Sequence, residues 1–145
     1  MTNPAGCFMC EDPMFTGTEG SFPQKIANLK VSTVILNRDW QFFKGSTLLV
    51  YNEHITELHH LDPAMQYQFM DDASRVSAAL EMAYPGGKLN HGLFGNTVPH
   101  LHWHIIVRRH TDPDPKTTIW ESPFDVVEAS EQDLLATAGQ IRQYL

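Results

Sequence analysis

A chain of 145 residues and 16.4 kDa, 42% hydrophobic and 19% charged, has the size and balance of one ordinary globular domain. It is too short for a TIM barrel, which takes about 250 residues, and no apolar run approaches the roughly 20 residues of a membrane span. Ten basic against 17 acidic residues leave a net charge of -7, which argues against a broad nucleic-acid face but not against a small phosphorylated ligand held by local donors. Met1 to Gly6 lack the basic and apolar regions of a signal peptide, so a soluble cytoplasmic protein with no membrane partner is expected.

In chain order, Cys7-Phe8-Met9-Cys10 comes first, followed by a stretch at 11–25 rich in turn formers that reads as a surface segment. Val31–Asn37 is β-branched and ends in polar Asn37-Arg38-Asp39, and Thr47–Tyr51 follows Lys44-Gly45-Ser46; the two predict a hairpin. Asp62-Pro63 supplies an N-cap and a first helical proline. Met65, Phe69, Ala73, Val76, Leu80 and Ala83 then recur at steps of three and four, which predicts a helix with one buried face, ended by Pro85-Gly86-Gly87.

Leu89–Phe94 and Leu101–Arg109 read as further strands, and Asp112-Pro113-Asp114-Pro115 as an exposed loop. Ser130-Glu131-Gln132-Asp133 resembles a capping box and opens a helix whose apolar face is Leu134, Leu135, Ala138 and Ile141. Strands and helices do not alternate regularly, so an α+β fold with an antiparallel sheet is expected over a doubly wound one. No GxGxxG or complete P-loop is present, which removes dinucleotide-binding and Walker-type readings.

The eight histidines are clustered, three at 54–60 and five at 91–110. His100, His102 and His104 alternate with Leu101, Trp103 and Ile105, so in a strand the imidazoles share one face and the apolar residues face the core. One zinc ion cannot take all three rings at about 2.0–2.1 Å while the strand stays regular. The row reads better as a ladder of distinct roles, a neutral imidazole acting as nucleophile and its neighbours binding an anion or protonating a leaving oxygen. A metal-binding HxH pair, or merely a polar strand face, is the bland alternative. The C-x₂-C pair at Cys7 and Cys10 has the spacing of a zinc half-site, which redox dithiols and plain buried cysteines share. Neither a thioredoxin-like setting nor a cytosolic structural disulfide suits it.

His100-Leu101-His102-Trp103-His104-Ile105-Ile106 resembles the His-φ-His-φ-His-φ-φ signature of the histidine triad (HIT) family. Gly95-Asn96-Thr97-Val98, Asn90 with Gly92, Leu36-Asn37-Arg38-Asp39, Gly45, Leu48-Leu49-Val50 and His54 with Leu58 fit the family pattern as well. The resemblance covers roughly residues 30 to 110 plus the N-terminal cysteines. It implies a HIT-like antiparallel sheet of about five strands with two main helices. A single HIT domain would fill 1–145, with 1–25 a zinc-anchored segment, 26–110 the catalytic core and 111–145 a C-terminal loop and helix.

It further implies a nucleotidyl hydrolase or transferase in which His102 attacks the α-phosphorus and forms a nucleotidyl-histidine intermediate. His104 lies near the α-phosphate and leaving group, and His100 completes the triad. Asn96 and the backbone around Val98-Pro99 donate to non-bridging oxygens, Asn90 stands near the phosphate, and Asn37 or Asp39 takes the ribose. A zinc-bearing subset implies Cys7, Cys10, His54 and His100 as a closed structural Cys₂His₂ site, with His59 and His60 as rival donors; His91 and His110 read as surface residues. Ser46 stands where many members carry histidine, and the Asn37-to-Gly45 spacing is one residue longer than in well-known members. Trp103 and the Asp112-Pro113…Ile119-Trp120 stretch resemble members that hydrolyse dinucleoside polyphosphates. Adenosine phosphoramidate hydrolysis, a nucleotide phosphorylase and a non-catalytic zinc and nucleotide-binding module are the alternatives. A homodimer is implied too, with Phe42-Phe43 and the apolar helix faces as candidate surface.

Overall fold

The structure is a computed structural model that describes residues 6–17, 22–121 and 124–145. Met1 to Ala5, residues 18–21 of the turn-rich stretch, and residues 122–123 lie outside the described residues. Five strands form one antiparallel sheet in the order β1-β2-β3-β5-β4: β1 (Lys25–Asn28), β2 (Ser32–Leu36), β3 (Thr47–Tyr51), β4 (Lys88–Leu93) and β5 (His102–Arg108). The helices are α1 (Phe8–Glu11), α2 (Pro13–Thr16), α3 (Pro63–Ala83) and α4 (Glu131–Arg142).

The sheet is covered on both faces, and this explains why all five residues of β2 are buried. Val34, Leu49, Ile105 and Val107 turn to one face, where Phe69, Val76 and Leu80 of α3 and Leu134, Ala138 and Ile141 of α4 complete the main core. Each such fully buried side chain stabilises by roughly 1.5–3 kcal/mol. On the other face Ile35 and Val50 pack against Cys7, Met9, Cys10 and Phe15, while Ile106 meets Phe43 and Ile119. The site described below lies on this second face.

The caps act as their residue types require. The Asp62 side chain accepts from the Met65 amide at 2.9 Å, and Ser130 Oγ accepts from the Asp133 amide at 3.1 Å. Asp72, fully buried on α3, accepts from the Val31 amide and the Ser32 hydroxyl at 3.1 and 2.6 Å and so ties the helix to the start of β2.

Three expectations are corrected. The 11–25 stretch is not merely surface: Phe15 is buried on α2, and Lys25, also buried, opens β1 while its ammonium donates to the carbonyls of Phe15 and Gly17. Leu135 is 55% exposed, because the buried face of α4 is set by Leu134, Thr137, Ala138 and Ile141. Phe43 offers no outer surface; it is buried under Phe124 and Ile106, with the Arg108 guanidinium 5.0 Å from its ring. Among the described residues no helix is long and apolar enough to cross a membrane.

Candidate functional site

The chain enters β5 through Pro99-His100-Leu101. The strand begins only at His102; before it, the Leu101 amide donates to the Ile55 carbonyl and its own carbonyl accepts from Tyr51. His100 keeps the face of His102 and His104, the face on which Cys7 and Cys10 pack, and there its ring meets the N-terminal segment. Its Nδ1 lies 3.5 Å from Cys7 Sγ and 3.4 Å from Cys10 Sγ, and His54 Nδ1 lies 3.4 Å from Cys10 Sγ. The four donor atoms are all within 4.8 Å of one another. A tetrahedral zinc with bonds of about 2.3 Å to sulfur and 2.0–2.1 Å to nitrogen has S···N edges of about 3.5 Å, which the three sulfur–nitrogen distances above match.

Two further features support the fit. His100 Nε2 is 2.7 Å from the Tyr51 carbonyl, to which it donates, leaving the Nδ1 lone pair for a metal. Burial, followed by the adjacent Cys7, pushes the Cys10 thiol up to about 11, so a thiolate forms here only when a cation compensates it. His59 and His60 are exposed on a short 3₁₀ turn and belong to no metal-binding cluster among the described residues; His91 and His110 are exposed as well.

His102 and His104 form the second part of the site. His102 Nδ1 sits 2.6 Å from the His100 carbonyl, and its Nε2 sits 3.2 Å from His104 Nε2. The tautomers follow from donor and acceptor counting. A carbonyl only accepts, so His102 carries its proton on Nδ1 and its Nε2 is a free base. His104 then donates from Nε2 and keeps a lone pair on Nδ1, a buried atom with no partner.

Aromatic rings explain why His104 stays neutral. Trp40 stacks on it at 5.2 Å, and Phe94 and Trp120 stand 6.1 and 6.3 Å away. Burial, followed by neighbouring His102, pushes its pKa down to about 4. Burial also lowers His102, partly offset by the hydrogen bond to the His100 carbonyl.

These two histidines line a cleft of about 810 Å³. Asn37, Asp39, Asn96 and Val98 line it as well, with Asn37 and Val98 half-buried and Asp39 and Asn96 exposed. Pro99 has no N–H, so of the Val98-Pro99 pair only Val98 can donate to an oxyanion. Asn90 stands on β4 opposite Ile106 and is not among the lining residues. Ser46 is buried, and its hydroxyl has no partner.

Several contributors escaped the sequence. Gln41 holds the 37–46 loop shut: its amide donates to the carbonyls of Asn37 and Ser46 at 2.8 and 2.9 Å and accepts from the Gly45 amide at 3.1 Å. Gly45 has φ +91°, and a Cβ there would lie 2.4 Å from the Tyr84 ring, so no other residue fits this turn. Trp40 and Phe94 carried no sequence signal beyond being aromatic. The N-terminal Phe8, Met14 and Phe15 form the apolar end of the cleft.

The HIT domain family matches residues 24–111, more than half of the chain. A histidine triad protein from Bradyrhizobium japonicum is 30% identical, with a TM-score of 0.71 over 82% of this chain and 87% of that one. One from Sinorhizobium meliloti 1021 is 27% identical, with a TM-score of 0.73 over 83% and 88%. The fold is shared at lower identity, 17%, by a diadenosine triphosphate hydrolase of Plasmodium falciparum, with a TM-score of 0.55 over 84% and 76%. No curated protein sequence matches significantly. With the family's domain matched from the strand entry of β1 to the end of β5, and its histidine row in place, the chain belongs to the histidine triad family.

Proposed function

We propose that the protein is a nucleotidyl hydrolase of the dinucleoside polyphosphate type, working through a covalent adduct on His102. The observation that carries this reading is the tautomer chain: His100 carbonyl, His102 Nδ1–H, His102 Nε2 lone pair, His104 Nε2–H, ending inside the cleft. A neutral imidazole fixed by a backbone acceptor presents its nucleophilic lone pair without an additional base.

The nucleotide ribose lies against Asn37 or Asp39, with its base toward the apolar end at Phe8, Met14 and Phe15. His102 Nε2 attacks the α-phosphorus; a phosphorus–nitrogen bond forms as the phosphorus–oxygen bond to the leaving group breaks. The departing oxygen takes the electron pair and is met by His104 Nε2–H. Asn96 and the Val98 amide stabilise the charge that grows on the non-bridging oxygens. Water then attacks the same phosphorus from the opposite side; a phosphorus–oxygen bond forms as the phosphorus–nitrogen bond breaks, the electron pair returns to His102 Nε2, and the proton lost by the water passes to solvent with release of nucleoside monophosphate.

Zinc, held by Cys7, Cys10, His54 and His100, supplies cross-linking and no step of the reaction. It fixes the N-terminal segment on the sheet and, through His100, the carbonyl that orients His102. The same reading makes the protein a cytoplasmic homodimer acting on small nucleotides, with no nucleic-acid or membrane partner. The edge strand β4 and the exposed Tyr67 and Met70 of α3 are available to a second subunit.

The test is turnover of diadenosine triphosphate by native protein and by His102→Asn, with intact-mass analysis of quenched samples. Native protein should hydrolyse the compound and carry one nucleotidyl adduct, and the variant should do neither. Native protein without turnover or adduct on any dinucleoside polyphosphate or adenosine phosphoramidate would overturn the reading.

A further inference from the structure

We propose that Phe94 and Trp120 form a leaving-group subsite that stacks an aromatic ring, the second nucleobase of a dinucleoside polyphosphate. This rests on the hydrolase reading above and names what that site accepts beyond the α-phosphate. The two side chains are 45% and 40% exposed, yet they are not scattered surface residues. Their rings meet edge to face at 4.8 Å, both stand beside His104, and both line the cleft.

The pair is built into place from two directions. Gly92, paired with His104 across β4 and β5, lies directly beneath it: a Cβ there would come 2.4 Å from Phe94 Cε2 and 2.6 Å from Trp120 Cη2. Any side chain at 92 displaces the wall. From the other direction Arg108, 2% exposed, clamps the loop that delivers Trp120. Its guanidinium donates to the carbonyls of Thr117, Pro113 and Asp114 and pairs with Asp112 at 3.2 Å. Ile119, beside Trp120, is buried against Phe43 and Ile106.

Position assigns the ligand. His104 Nε2–H meets the departing oxygen, so whatever hangs from that oxygen emerges beside these two rings. Among the described lining residues, Arg38 is the only lysine or arginine. One cation is little to hold a polyphosphate chain, which leaves recognition of the leaving group to the rings. An exposed aromatic surface takes any base on its π-face.

The experiment compares kcat/KM for diadenosine triphosphate with kcat/KM for adenosine 5′-phosphoramidate, whose leaving group is ammonia and has no ring. The ratio of the two is measured in native protein, Trp120→Ala and Trp120→Phe. In Trp120→Ala the ratio should fall by about 5- to 150-fold, the loss that removing one base–aromatic stack produces, and Trp120→Phe should restore most of it. A ratio held within twofold overturns the proposal and leaves the wall as a shield for His104. Equilibrium binding gives a second readout that needs no turnover. The affinity for diadenosine triphosphate relative to AMP should drop in Trp120→Ala by a similar factor, and an unchanged relative affinity overturns the subsite even where the hydrolase reading has itself failed. Thermal unfolding of both variants confirms that they are folded.

Discussion

His104 makes the stability of the fold depend on pH in a way that can be isolated. The perturbation is His104→Gln, which keeps a polar side chain but cannot titrate. In the folded protein the ring is held neutral, its pKa pushed down to about 4 by burial among aromatic rings, whereas in the unfolded chain it returns to about 6.5. The unfolded state thus binds more protons between these values, so stability is full above about pH 6.5 and falls as pH drops toward the folded value. Relative to pH 7.5, linkage gives a loss from this one group of about 1.3 kcal/mol at pH 5.5 and about 2.5 kcal/mol at pH 4.5. The assay is urea unfolding of native protein and His104→Gln at matched pH values between 7.5 and 4.5. Zinc release and every titration other than that of His102 are common to both proteins, so the difference between the two curves reports His104 together with its coupling to His102. Native stability should fall the more steeply, and the gap between the proteins should shift by about 1–3 kcal/mol over the range. Parallel curves would refute the reasoning, because they would show that the aromatic surroundings do not keep the proton off the ring.

Two further outcomes follow from side chains that join separate segments. Cys10→Ser should abolish stoichiometric zinc in the purified protein, measured by elemental analysis, and lower the thermal midpoint, since it removes the sulfur closest to both histidine donors. Arg108→Met should destabilise by about 3 kcal/mol in chemical denaturation, because it leaves the Asp112 carboxylate and three loop carbonyls without their shared donor.

The elements that were readable in the sequence are those whose information is local. Asp62-Pro63 at the start of α3, the three-and-four spacing through Ala83, and the β-branched run of β2 state their own structure. β1 does not. Lys25–Asn28 has four residues with no alternation, and it is a strand only because β2 lies beside it. Lys25 reads as surface until the carbonyls of Phe15 and Gly17 are known to receive its ammonium. The histidine row was legible as one face of a strand. That His100 sits ahead of the regular strand, where Leu101 pairs with Ile55, is a long-range contact with no mark in the spacing. The C-x₂-C half-site was visible, yet choosing His54 over His59 and His60 came from kinship and not from any local pattern. The aromatic wall was hidden for the same reason: Trp40, Phe94 and Trp120 are far apart in the chain and meet only where three loops converge on one imidazole.

The segment that marks kinship, residues 24–111, is narrower than the cleft it contains. His102 and His104 fall within it, but both thiols and the apolar end at Phe8, Met14 and Phe15 precede it, and Trp120 follows it. A fragment trimmed to the recognisable domain would retain the imidazoles of His102 and His104 and lose the lining that Phe8, Met14, Phe15 and Trp120 supply. The lining of the cleft is therefore shared between the matched stretch, which holds Asn37, Asp39, Phe94 and Asn96, and the flanks on either side of it.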